Sequence, residues 1–132
     1  MDLDEIRDTF AFLDDWEDKY RFILDIGREV PTLPDSQRDD QHLVQGCQSQ
    51  VWLVAERHED GRISLAMDSD AHIVRGLIGI VLAALNNRTG PEILEFDMDA
   101  LFGELELLKH LSPTRGNGLM AMLGRIRAFA GS

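Results

Sequence analysis

The chain has 132 residues, which fits a single domain over residues 1–132 and is enough to bury a hydrophobic core without disulfides or metals. Hydrophobic residues make up 44% and charged residues 28% of the chain, and this balance excludes a protein that is mainly disordered or fibrous. The net charge of −11 excludes nucleic acid and anionic membrane surfaces as partners, because both would repel the protein.

Two helices are predicted before residue 30. Apolar residues recur with helical spacing over residues 16–27, opposite a charged face, and a shorter helix over residues 3–13 precedes them. Two prolines then interrupt the pattern, so the polar residues as far as Gln41 are predicted to form an exposed loop.

A change to a period of two predicts strands in the middle of the chain. Two runs of residues have this period, and Glu59, Asp60 and Gly61 supply a turn between them. The sets that alternate are Val51, Leu53 and Ala55 with Trp52, Val54 and Glu56, and then Ile63, Leu65 and Met67 with Ser64 and Ala66. This pattern is typical of an antiparallel hairpin. Because a lone hairpin is marginally stable, we expect a third strand over residues 42–45.

The second half of the chain is predicted to be helical. A nearly all-apolar helix over residues 71–85, capped by Ser69 or Asp70, is expected at the centre of the core, with Gly76 and Gly79 allowing close approach of the sheet. Shorter helices are predicted over residues 91–96 and 98–108, the latter with Leu101, Phe102, Leu105 and Leu108 facing inward. Ser112 and Pro113 then begin a last amphipathic helix, whose apolar stripe is Leu119, Met122, Leu123, Ile126 and Phe129. The fold class predicted is α+β, a small antiparallel sheet packed against helices.

The acidic residues are concentrated in the N-terminal third. Residues 1–40 carry thirteen acidic and five basic side chains, whereas residues 97–132 carry four of each. This field is either a solvated surface that keeps the protein soluble or a means of steering toward a basic partner.

The sequence favours a cytoplasmic location. Cys47 is the only cysteine and has no internal disulfide partner, and no signal peptide is recognisable. The longest strongly apolar stretch, residues 76–85, is far shorter than the roughly 20 residues that span a bilayer, so no transmembrane segment is predicted.

Cys47 is the main candidate for chemistry. A free cysteine is often a small buried hydrophobe, but Gly46, Gln48 and Ser49 are typical of a wet loop tip, where a thiol is free to react. Arg115 is the second candidate, because it falls in the first turn of a predicted helix, where the helix dipole disfavours a cation. An arginine there either binds an anion or faces solvent without a functional role.

Other site chemistries have weaker support in the sequence. A cysteine hydrolase would need a histidine beside the thiol, and none of the four histidines lies in a recognised signature. No metal-ligand spacing and no phosphate-binding glycine motif occur, so neither a metal nor a nucleotide cofactor is expected. Asp68 and Asp70 are explained as a strand end and a helix cap.

Three segments at their proper spacing resemble the SufE family of sulfur-acceptor proteins, which includes the CsdE branch. They are Gly-Cys-Gln-Ser-Gln-Val-Trp at residues 46–52, Asp-Ser-Asp-Ala at residues 68–71 followed by Ile-Val-Arg-Gly-Leu, and His-Leu-Ser-Pro-Thr-Arg at residues 110–115 followed by Gly118. The resemblance covers nearly the whole chain and implies an α+β sandwich similar to that of IscU-type iron–sulfur scaffolds. Thr114 departs from the serine that many members have, and it keeps a hydroxyl.

The resemblance also implies a function. Cys47 would take a sulfane sulfur from the persulfide of a pyridoxal-phosphate cysteine desulfurase of the SufS or CsdA type, stimulate that enzyme, and deliver the sulfur to a SufBCD-like scaffold. Arg115 would support the persulfide anion, and loop-shaping or docking roles fall to Gly46, Gln48, Ser49, Asp70 and His110. The protein would hold no cofactor or metal of its own, have no independent turnover, and be a monomer or a homodimer.

Two alternatives belong to other classes. One is a non-catalytic adaptor that binds a partner through its acidic helices, with Cys47 merely buried; the other is a thiol hydrolase. A scaffold role is disfavoured because holding an iron–sulfur cluster takes several thiolates and this chain has one.

Overall fold

The computed structural model describes all of residues 1–132, and it begins with two helices that confirm the predicted pair. Helix α1 spans Leu3–Phe12 and helix α2 spans Trp16–Glu29. Each helix follows an aspartate whose side chain accepts a hydrogen bond from a backbone N–H of the first turn. These aspartates are Asp2 before α1 and Asp15 before α2. The loop after α2 contains one short 3₁₀ helix, Asp35–Gln37.

The sheet has three antiparallel strands in the order β1-β2-β3. Strands β1, Val51–Arg57, and β2, Arg62–Ser69, form the predicted hairpin, and β3, Arg88–Thr89, pairs with the far edge of β2. The prediction of a third strand over residues 42–45 is wrong, since only Leu43 bridges to Trp52. The chain turns away from β1 at Gly46, whose φ of 93° ends any extended pairing.

Helix α3, His72–Leu85, is the buried central helix. Its N-cap is Ala71, which makes no side-chain cap, so the predicted cap by Ser69 or Asp70 is wrong. Both side chains instead hydrogen-bond Gln50.

The neighbour that approaches the α3 glycines is also different from the one predicted. A Cβ on Gly76 would overlap the carbonyl oxygen of Ile23, and one on Gly79 would overlap the Ile26 side chain, so α2 and not the sheet packs at this distance.

Four helices complete the chain: α4, Gly90–Glu95; α5, Met98–Glu104; α6, Leu107–His110; and α7, Pro113–Ala130. The single helix predicted over residues 98–108 is wrong, because Glu106 has a left-handed φ of 56° and separates α5 from α6. The break rotates the following residues, so Leu107 is buried and Leu108, predicted to face inward, is 45% exposed.

One continuous cluster of buried hydrophobic side chains from the helices and the β1–β2 hairpin forms the core, which confirms the α+β class. No helix is long and apolar enough to cross a membrane.

Candidate functional site

The loop that carries Cys47 is shaped by a close approach to α7. Gly46 has positive φ, and a Cβ there would lie 3.2 Å from the Cβ of Ala121. Glycine therefore serves both the turn and the packing of the loop on the helix.

Both ends of the loop are attached to the sheet. Before it, the N–H of Val44 donates to the carbonyl of Val51 at 2.7 Å. After it, the N–H of Gln50 donates to Asp70 at 3.1 Å, and the hydroxyl of Ser69 donates to the Gln50 carbonyl at 2.7 Å. The loop is thus held between β1 and the junction of β2 with α3.

The thiol of Cys47 points inward rather than into solvent. The backbone around it is exposed at Gly46 and Gln48, but Cys47 itself is half-buried, and its Sγ donates to the carbonyl of Gly118 at 3.4 Å. The sequence leaves open whether the thiol rests buried or exposed, and in the structure it is accessible only in part. A small cavity of about 30 Å³ adjoins the thiol. Its lining comprises Cys47, Gln48, Ser49, Val51, Val74, Leu77, Thr114, Arg115, Gly118 and Met122.

The electrostatics of the thiol follow from this position. Burial raises the pKa of the Cys47 thiol above its ordinary value. Arg115 lines the same cavity, and its backbone N–H donates to the Ser112 side chain at the start of α7. The guanidinium of Arg115 forms no ion pair with any carboxylate of the chain, so its charge is not neutralised within the chain.

The other predicted residues divide into two groups. Gln48 and Ser49 line the cavity, and Asp70 holds the end of the loop through Gln50. His110 lies elsewhere: its ring stacks on Trp16, with centroids 4.3 Å apart and planes 13° from parallel. No histidine lines the cavity, so the structure does not form the cysteine–histidine pair that a thiol hydrolase needs.

Sequence reasoning missed a buried ion cluster next to the loop anchor. Asp68 is fully buried, accepts the N–H groups of Leu33 at 3.0 Å and Ser69 at 2.8 Å, and forms ion pairs with Arg38 and Arg75. Desolvation would raise the pKa of its carboxyl, but the hydrogen bonds and the charge of Arg75 outweigh it and hold that pKa below its usual value. Two of its partners, Leu33 and Arg38, lie 35 and 30 residues before Asp68, so patterns in neighbouring residues do not reveal the cluster.

Comparison with known proteins places these features in a family. Residues 4–130 match the model of the SufE family, described as an Fe-S metabolism associated domain. An uncharacterised SufE-like protein of Rhizobium meliloti is 46% identical over 97% of this chain and 94% of its own length. One of Rhizobium etli is 45% identical over 97% of this chain and 88% of its own length.

A solved structure supports the fold independently. The solution structure of a hypothetical protein from Thermus thermophilus superimposes with a TM-score of 0.76 over 98% of this chain and 93% of that one, at 23% sequence identity. The chain therefore belongs to the SufE family, whose domain is associated with iron–sulfur metabolism.

Proposed function

We propose that Cys47 is a covalent sulfur carrier that accepts a sulfane sulfur from a cysteine desulfurase and passes it to an iron–sulfur assembly scaffold. The observation that carries the proposal is the cavity beside the half-buried thiol, about 30 Å³ in volume. A space of this size holds about one or two non-hydrogen atoms. It suits the single sulfur atom by which a persulfide exceeds a thiol.

The transfer is a displacement at sulfur without net oxidation. The Cys47 thiolate attacks the terminal sulfur of the donor's persulfide, a new S–S bond forms to Sγ, the donor's S–S bond breaks, and the donor cysteine leaves as a thiolate. The proton of the Cys47 thiol passes to solvent or to the leaving thiolate. Delivery to the scaffold repeats the same displacement with Cys47 as the leaving group.

The inward position of Cys47 suits storage of sulfur better than its uptake. In the inward position the thiol is protonated and shielded, so it is a poor nucleophile. In this proposal the loop turns outward between its anchors at Val44 and Gln50, so that Sγ can line up with the donor's S–S bond. The inward position then shelters the loaded sulfur from water and small thiols.

Arg115 supports the loaded form. A persulfide is an anion at neutral pH, and Arg115, which lines the cavity and forms no ion pair, supplies a charge of opposite sign. Gly46, Gln48, Ser49 and Asp70 shape the loop, whereas His110 has no part at the thiol in this proposal. The donor is a SufS- or CsdA-like enzyme and the recipient a SufBCD-like scaffold.

Intact mass spectrometry tests the proposal. The protein is incubated with a cysteine desulfurase and cysteine, with Cys47→Ser as the matched control. We expect a gain of about one sulfur mass on the natural chain alone, reversed by reductant. No gain with several active desulfurases, under conditions where their own persulfides are seen, would rule the carrier role out.

The half-buried thiol also suits a second candidate, an acidic adaptor in which Cys47 only fills space. The same experiment separates the two. An adaptor binds its partner equally well with serine at residue 47 and gains no sulfur.

A further inference from the structure

Strand β1 is an edge strand that the chain covers only in part. The segment before the Cys47 loop lies beside its first half, where Val44 donates to Val51 at 2.7 Å and Leu53 donates to the carbonyl of His42 at 2.9 Å. No further backbone bond reaches this edge beyond Leu53. The second half of β1 is therefore open.

The register identifies which groups the open edge presents. In an antiparallel sheet the N–H and C=O of one residue point to the same side, and the side alternates along the strand. Leu53 bonds outward to His42, and His58 at the other end bonds inward to Arg62 at 2.8 Å. The N–H and C=O of Ala55 and the N–H of Arg57 consequently point outward, without a partner in the chain.

A groove runs alongside these groups. It has a volume of about 190 Å³ and is lined by Gln41, His42, Leu53, Ala55, Arg125 and Phe129. Leu53 and Phe129 make part of it apolar. Arg125, on α7, donates to the carbonyls of Leu43 at 3.2 Å and Gln41 at 3.4 Å but forms no ion pair. The groove thus carries an unneutralised cation in a chain of net charge −11.

We propose that this edge binds an extended, acidic segment of a partner protein as an added β-strand. Unpaired strand edges are templates for such pairing, with backbone bonds supplying affinity and side-chain grooves supplying selectivity. Ala55 and Arg57 provide the backbone groups, Arg125 faces an acidic side chain of the segment, and the apolar part of the groove takes the alternate residue.

The geometry argues against a second copy of this chain as the occupant. In a two-fold pairing centred on Ala55, Arg57 of the second copy would lie opposite Leu53, in the space that His42 already fills. Pairing centred on Glu56 would place two Glu56 side chains opposite each other, and pairing centred on Arg57 would do the same with two arginines. An unrelated segment needs no such symmetry.

The position of the edge relates it to the thiol without depending on the proposed sulfur transfer. The covering segment leads directly into the Cys47 loop, and Arg125 follows Gly118 on α7 by seven residues, about two helical turns. A segment bound here would therefore lie next to the covering segment, on the same edge of the sheet as the Cys47 loop.

Nuclear magnetic resonance of the isotope-labelled full chain tests this. The probe is a capped synthetic peptide of alternating glutamate and valine, and the controls are a lysine–valine peptide and the same acidic peptide with alternate backbone nitrogens methylated. We expect shifts and slowed hydrogen exchange at the amides of Ala55 and Arg57 with the acidic peptide, and neither with the controls.

Two variants test the parts of the groove separately. Ala55→Pro removes the outward N–H at an edge position that tolerates proline, and Arg125→Glu reverses the charge. Each should weaken peptide binding about tenfold, the loss expected for one or two hydrogen bonds. The chemical-shift changes of the natural chain are measured without either variant, so the proposal stays testable if a variant does not fold.

Three results would overturn the proposal. One is the absence of any change in chemical shift or hydrogen exchange at the Ala55 and Arg57 amides with about 1 mM acidic peptide, because the binding would then be too weak to matter. Another is equal binding of the lysine–valine peptide. The third is concentration-dependent protection of both amides without peptide, which would assign the edge to a second copy. None of these readouts requires sulfur transfer, so the carrier role stands or fails separately.

Discussion

Gly118→Ala tests whether the space beside the thiol matters for holding sulfur. A Cβ at residue 118 would lie 3.6 Å from Sγ of Cys47 and 3.8 Å from its Cα and Cβ, which is ordinary van der Waals contact. The substitution therefore fits the resting fold. It narrows the cavity of about 30 Å³ into which a second sulfur atom must pass.

The matched control is Gly124→Ala on the same helix. A Cβ there meets nothing within 4 Å, so it changes helix propensity and nothing else. Both substitutions should raise the free energy of unfolding, by up to about 1 kcal/mol, because alanine is the better helix former. The difference between the two variants isolates the methyl group against the thiol.

The functional effect follows from the size of one sulfur atom. Burying a group of this size stabilises the inward persulfide by about 0.8 kcal/mol, the value for one methylene, which is about a fourfold change in the sheltered population. We expect the Gly118→Ala persulfide to be lost to a small thiol about fourfold faster than that of Gly124→Ala. The measurement is the decay of the sulfur-loaded mass after the desulfurase is removed. Equal decay of both variants, with both folded, would refute a sheltering role for the cavity.

Three further predictions concern the charges around the site. Asp68→Asn should lower the free energy of unfolding by about 3 kcal/mol at neutral pH, since it leaves Arg38 and Arg75 without their buried partner, whereas the exposed Asp70→Asn should change it little. The pKa of Asp68 is lower in the folded state than in the unfolded state. The stabilisation by its carboxylate is therefore present above the unfolded-state pKa and is lost as the pH falls through the folded-state pKa. A difference in the free energy of unfolding between the natural and Asp68→Asn chains that grows as the pH is lowered would contradict this. Cys47 should be alkylated more slowly than a peptide thiol near neutral pH, with its pH profile displaced upward, because burial raises its pKa. Arg115→Gln should leave that resting profile unchanged while shortening persulfide lifetime, and a shifted profile would mean that the guanidinium already acts on the thiol.

Local sequence patterns predicted the structure correctly where interactions between residues close in sequence determine it. Helical spacing predicted α2 with the shorter α1 before it, and alternation with a glycine turn predicted the hairpin. They failed where the backbone conformation of one residue changed the structure. Glu106 is left-handed and divides one predicted helix into two, so Leu107 lies in the core in place of Leu108. A glutamate side chain does not favour a positive φ, so the sequence gives no signal for this conformation.

The sequence by itself determined the family, the fold class and the reactive candidates, because Cys47, Arg115 and the residues around them stand in recognisable segments. Only the tertiary structure decided how those segments meet. It places Arg115 and Gly118 of α7 at the Cys47 cavity, moves His110 away onto Trp16, and turns the thiol inward. The physical reason is that loop burial, ion pairs such as Asp68 with Arg38, and the open edge of β1 depend on contacts between residues far apart in the chain.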